Sequence, residues 1–93
     1  MQNLPDELVI DLRKPVTLGS ETYTQLVLRE PTAGEVAQAQ KAGGGLASDI
    51  VLIALVSGVP KPGVERIGYR DTQRAVQYLA GFMVGGPETG GTP

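Results

Sequence analysis

Apolar and polar positions alternate at the start of the chain. Leu8, Ile10 and Leu12 fall on one side, and Glu7, Val9 and Asp11 on the other. That is the period of a half-buried strand. Arg13-Lys14-Pro15 breaks the alternation. Pro15 has no amide proton to give a ladder, so it implies an edge strand or a bulge. Val16-Thr17-Leu18 resumes the pattern, and Gly19-Ser20 supplies a turn. Glu21 to Arg29, rich in Thr, Tyr, Val and Leu, is the return strand. Thr24, Leu26 and Leu28 point one way along it, and Tyr23, Gln25 and Val27 the other. A lone hairpin is marginal in water, so its apolar face needs helices on it.

The period changes at Leu26-Val27-Leu28-Arg29-Glu30-Pro31-Thr32-Ala33-Gly34-Glu35. Pro31 stops the strand by Glu30. Thr32, followed three residues later by Glu35, is a capping box: each side chain meets the other residue's amide. Arg29, Glu30, Pro31, Thr32 and Glu35 thus make the structural corner of the chain. The helix that follows runs to about Ala42 on a thin apolar face of Val36, Ala37, Ala39 and Ala42. Gly43-Gly44-Gly45 ends it and makes a flexible joint. Leu46 to Ser57 is the next element. Its β-branched run Ile50-Val51-Leu52-Ile53 could be a buried strand. Asp49 as a start, Gly58 and Pro60 as a stop, and the length favour a helix. Pro60-Lys61-Pro62-Gly63 reads as a loop and Val64-Glu65-Arg66-Ile67 as one helical turn. The last helix runs from about Arg70 to Met83, with Val76, Leu79, Ala80 and Met83 on one stripe that Phe82 widens. After Val84, Gly85 to Pro93 has almost nothing to bury and is expected to be disordered. The expected fold is α+β, an N-terminal antiparallel β-hairpin with about three α-helices packed on it. Residues 1–84 form a single domain and 85–93 a C-terminal tail.

Composition narrows the function classes. A chain of 93 residues is one domain, able to bury roughly 60–65% of its unfolded surface. It carries 8 basic and 10 acidic residues, and its pI is about 4.9. That balance speaks against electrostatic binding to nucleic acid or a membrane surface. There is no Cys, hence no disulfide or thiolate zinc site. There is no His, the commonest general base and metal ligand. The start, Met1-Gln2-Asn3-Leu4-Pro5-Asp6-Glu7, is polar and acidic and reads as no signal peptide. The longest apolar run, Ile50 to Val56, is far short of the ~20 residues that span a bilayer. A cytoplasmic location is the default.

No motif points to catalysis, a cofactor or a metal. Ser20, Ser48 and Ser57 have no His to activate them. The Gly43–Gly45 run lacks the Lys and Ser/Thr of a phosphate loop. Glu30 and Glu35 could do acid–base work, but capping already accounts for Glu35. Arg66, Arg70 and Arg74 recur every four residues, as a basic stripe would, yet Gly68 interrupts them and Glu65 and Asp71 lie beside them. A solvated face is the simpler account. Ile50 to Val56 is apolar all round, and such a helix must be covered on most sides. Core packing would do this, and so would a partner helix or a second copy of the chain. Val51, Leu55, Leu79 and Phe82 are the candidate contacts, Phe82 the anchor, since aromatics dominate interface energetics.

Pro15-Val16, Gly19 to Tyr23, and Leu26 to Glu35 together resemble one family, the small tail assembly chaperones of Mu-like and related contractile-tailed phages. Asp49 to Pro60 is similar to the family's central apolar helix and its stop. Ile67 to Phe82, with Asp71, Val76 and Phe82, is similar to its closing helix. The resemblance covers about residues 8–84. It implies a non-enzymatic protein made in late infection or from a prophage. Such proteins bind the long helical tape measure protein in the host bacterial cytoplasm. They keep it soluble until tail tube subunits polymerise around it, and are absent from the mature virion. A frameshifted longer form is often made as well. The rival classes are a structural or adaptor protein of the tail, and a small nucleic-acid-binding regulator using Arg66, Arg70 and Arg74.

Overall fold

The computed structural model describes residues 5–84. The elements in chain order are β1 (Glu7–Leu18), β2 (Glu21–Arg29), α1 (Ala33–Gln40), α2 (Gly45–Ser57), α3 (Lys61–Val64) and α4 (Tyr69–Val84). The fold is α+β, a two-stranded antiparallel hairpin followed by helices. The tail expected over 85–93 lies outside the described residues.

Leu8 stands opposite Leu28, and Ile10 opposite Leu26. The register then breaks. Four residues of β1, Leu12 to Pro15, face the single Thr24 of β2 before Val16 meets Tyr23. This is the bulge that Pro15 demands. Its three surplus residues are an odd number, so it swaps parity. Even-numbered residues of β1 pair with even-numbered residues of β2 below the bulge and with odd-numbered ones above it. The expectation that Thr24 shares the inner face with Leu26 and Leu28 is therefore corrected. Thr24 is exposed, and Tyr23 packs against the core instead.

Ile10, Leu26, Leu28, Ile53 and Ala75 are completely buried and join both strands to α2 and α4. α2 lies over β2, α4 over β1, and α1 packs on α2. The short α3 sits on the hairpin tip. A Cβ at Gly63 would come within 2.9 Å of Val59 Cγ1, 3.8 Å of Leu18 and 4.0 Å of Tyr23.

Three boundaries and faces differ from the sequence reading. α1 ends at Gln40, and its buried side is only Ala39 with part of Val36. Ala37 and Ala42 are exposed. The helical turn expected at Val64–Ile67 begins earlier, at Lys61, because Pro62 fits a first turn where amides lack partners anyway. The stripe of α4 is also rotated. Asp71, Thr72, Ala75, Tyr78 and Leu79 are buried, while Ala80 is exposed and Met83 is 43% exposed. Burying the Tyr78 ring removes far more apolar area from water than the Ala80 methyl would, and its hydroxyl donates to the Pro5 carbonyl at 2.6 Å. α2 is a helix, as length and flanks favour. It starts at Gly45, ahead of Asp49, with the Ser48 hydroxyl accepting the Gly44 N–H at 2.8 Å. Gly58 closes it in the left-handed region, φ +81°, where only a residue without Cβ sits freely.

Candidate partner-binding surface

The corner between β2 and α1 is closed by four short bonds. Glu35 N–H donates to Thr32 Oγ1 at 3.1 Å, and Thr32 N–H to Glu35 Oε1 at 2.9 Å. The Arg29 guanidinium grips the same carboxylate with both terminal nitrogens, at 2.9 and 2.8 Å. Arg29 also donates to the Glu30 carbonyl at 3.1 Å. The Arg29 bonds first, and then the Thr32 amide, hold the Glu35 carboxyl at about 2, well below its ordinary 4.5. The bond to Glu35 raises the Arg29 pKa in turn. The corner is partly exposed. It directs the chain from the sheet into α1, and so places α2.

A second polar fastening joins the middle of β1 to the start of α4. Asp71, 2% exposed in the first turn of α4, accepts the Arg13 N–H at 2.9 Å through Oδ2. Arg13 stands in the bulge, where the β1 ladder is interrupted and its amide needs an acceptor. Asp71 Oδ1 has no hydrogen bond; Arg74 Nη1 stands 3.7 Å from it, at ion-pair but not hydrogen-bond distance. Reading the sequence for periodicity misses Asp71, since a carboxylate beside arginines suggests a solvated face. The signal that could have found it is Pro15, because a bulge leaves amides to satisfy. Arg66, which recurs at four-residue spacing with Arg70 and Arg74 across the interrupting Gly68, lies in the turn before α4 and donates to the Thr17 carbonyl at 3.1 Å. The three arginines do not form one helix face.

The apolar surface centres on α2. Only Leu52, Ile53 and Val56 of its 13 residues are buried. Ile50, Val51, Ala54 and Leu55 are half-exposed, and Ala47 is exposed. At helical spacing Ala47, Val51, Ala54 and Leu55 share the side turned away from Leu52 and Val56; Val51 and Ala54 pack partly against the core, and none of the four carries a charge or a hydrogen-bonding side chain. A surface helix ordinarily presents polar residues there. Two clefts border α2. One, of about 220 Å³, is lined by Leu46, Asp49, Tyr69, Gln73, Val76 and Gln77. The other, of about 160 Å³, lies where Val36, Leu52 and Met83 bring α1, α2 and the end of α4 together.

The sequence-chosen contacts divide across this surface. Val51 and Leu55 are accessible on the outer side of α2. Phe82 is half-exposed on α4, edge-on to Tyr78 with ring centroids 5.2 Å apart. Leu79 is corrected: at 3% exposure it belongs to the core and offers no free surface. Its i+3 and i+4 relation to Val76 and Met83 placed it on the wrong stripe, because α4 turns its Ala75–Tyr78–Leu79 side to the sheet. Leu46, Tyr69 and Met83, which the sequence reading did not choose, are 46%, 61% and 43% exposed and line the two clefts.

Among the described residues no helix is long and apolar enough to cross a membrane. No curated protein and no solved structure matches the chain. A family model described as "Phage tail assembly chaperone proteins, E, or 41 or 14" matches residues 9–84. The match takes in both strands, the corner, the apolar α2 and the whole of α4. With that span covered, the chain belongs to the phage tail assembly chaperone family.

Proposed function

We propose that the chain binds a helical segment of a tape measure protein and keeps it soluble until tail tube subunits assemble around it. The observation that carries this reading is α2: its run Ile50–Val56 is apolar throughout, yet only Leu52, Ile53 and Val56 are fully buried, and Ile50, Val51, Ala54 and Leu55 stay half-exposed. An amphipathic helix laid along its outer side would remove Val51 and Leu55 from water, with Phe82 as an aromatic contact from α4. Burial drives such binding, so it depends only weakly on salt. The role is binding and not catalysis, which a sequence without His or Cys supports. It is exercised in the host cytoplasm during late infection or from a prophage, and the chain is absent from the mature virion.

The test is co-expression with the tape measure protein encoded nearby. Wild-type chain keeps that protein in the soluble fraction and co-purifies with it. Leu55→Asp and Val51→Asp lose the co-purification while their circular dichroism stays that of the wild type. Leu79→Asp, by contrast, unfolds the chain, because that residue is core. A folded wild-type chain that leaves the tape measure protein insoluble refutes the reading, as does recovery of the chain from purified tails.

A further inference from the structure

The two edges of the hairpin are unlike. The outer edge of β1 carries the Leu12–Pro15 bulge, with exposed Lys14 and Pro15, and the Arg13 amide is taken by Asp71. Bulges, Pro and Lys are the devices by which sheets refuse a further strand. β2 has none of them. It runs unbroken from Glu21 to Arg29 without Pro, Gly or Lys. Among the described residues its one strand neighbour is β1, so the backbone groups on its far side have no ladder partner there. Thr22, Thr24 and Gln25 are exposed, and Tyr23 and Val27 half-exposed. Its two charges stand at its two ends and have opposite signs.

We propose that the free edge of β2 pairs antiparallel with β2 of a second copy of this chain, about a two-fold axis at Gln25, giving a four-stranded sheet. In that register Glu21 of each copy stands opposite Arg29 of the other, and Gln25 opposite Gln25. The first is an opposite-charge pair, which stabilises neighbouring strands, and the second sets two amides face to face where they can hydrogen-bond. The charges select the register. Moving the axis to Thr24 sets Glu21 against Val27, and moving it to Leu26 sets Arg29 against Tyr23, and both ion pairs are lost. The bond to Glu35 uses Arg29 Nη1 and Nη2, so the Nε–H is available to Glu21. The contact is self-complementary, as a two-fold interface requires. Because α2 lies over β2, the two copies of α2 come to the same side of the joined sheet, and their apolar outer sides adjoin. The inference stands on the β2 edge and does not need the tape measure reading.

Sedimentation velocity on the full chain over a concentration series tests it. The wild type shows a monomer–dimer equilibrium. Gln25→Lys and Gln25→Glu each set like charges face to face on the axis, and each raises the dimer dissociation constant by on the order of fivefold. Gln25 is exposed, so both variants keep the wild-type circular dichroism. Mixing the two restores wild-type association, because every mixed pair then sets Lys against Glu. A wild type that stays monomeric up to NMR concentrations overturns the proposal, as does a dimer that neither variant weakens. Hydrogen-exchange protection of β2 that appears only with the tape measure protein, the chain alone being monomeric, assigns the edge to that partner and overturns it as well.

Discussion

The corner at Arg29–Glu35 and the fastening between Asp71 and Arg13 do similar work by opposite means. Both use a carboxylate to take up a backbone amide that a broken ladder or a helix start leaves without a partner. The corner joins residues 3 and 6 apart in sequence, with its Arg29 and Glu35 side chains 44% and 20% exposed. The Asp71 bond joins residues 58 apart and is part-buried, with Asp71 itself only 2% exposed. Water competes at the corner, so three groups meeting on Glu35 together stabilise the fold by only about 1 kcal/mol. The Asp71 carboxylate is far less accessible to water, so a single bond to it carries more, and losing it leaves an amide without its acceptor. Many visible contacts at an exposed site are thus worth less than one at a buried site.

Three substitutions would break or sharpen that contrast. Asp71→Ala should be the most damaging, costing about 2–3 kcal/mol through the lost charge-assisted bond and the orphaned Arg13 amide. In a domain of this size that lowers the melting temperature by about 10 °C or more, and a shift of a degree or two would show that water replaces the carboxylate without penalty. Thr32→Ala removes the cap and should cost about 1 kcal/mol, or roughly 4–8 °C. An unchanged melting curve would mean that the Arg29–Glu35 pair holds the corner alone. The smallest effect is the charge on Glu35. Its folded pKa, about 2, lies below the ordinary 4.5, so its contribution is fully present above pH 4.5 and fades as the pH falls towards 2. Glu35→Gln should therefore be less stable than wild type by at most about 1 kcal/mol at pH 7, and the two should converge by about pH 2. Denaturant melts of both proteins across that range read the difference directly. A gap that persists at pH 2 would trace the effect to side-chain shape instead of charge.

The corner was legible because its physics is local. Pro31 ends a ladder, Thr32 and Glu35 lie one helical turn apart, and Gly58 tolerates the left-handed stop of α2. None of these depends on what packs nearby. The bulge was legible too, from Pro15. What could not be read is what the bulge does. It swaps the parity of β2, so that Tyr23 turns inward and Thr24 outward, and it leaves the Arg13 amide for a residue in the last helix. The same limit caught α4. Val76, Leu79, Ala80 and Met83 make a sound stripe on a helical wheel, but a wheel has no zero mark. The bonds from Asp71 to Arg13 and from Tyr78 to Pro5 turn that helix so that Ala80 and Met83 face outward.

The sequence by itself determined the order and kind of the elements, the capped corner, the stops at Pro31 and Gly58, and the resemblance to the tail assembly chaperones. Turns, caps and breakers act within about one helical turn or one strand pair, a range at which neighbours in sequence are neighbours in space. Tertiary structure alone decided which apolar residues were spent on the core. Leu79 and Leu55 are the same residue type, both within apolar helices, yet one is buried in the core and the other faces outward from α2. Burial belongs to the packing of α2 on β2 and of α4 on β1, contacts between segments far apart in the chain. An apolar helix such as α2 carries no polar side that could announce beforehand which of its faces will be left for a partner.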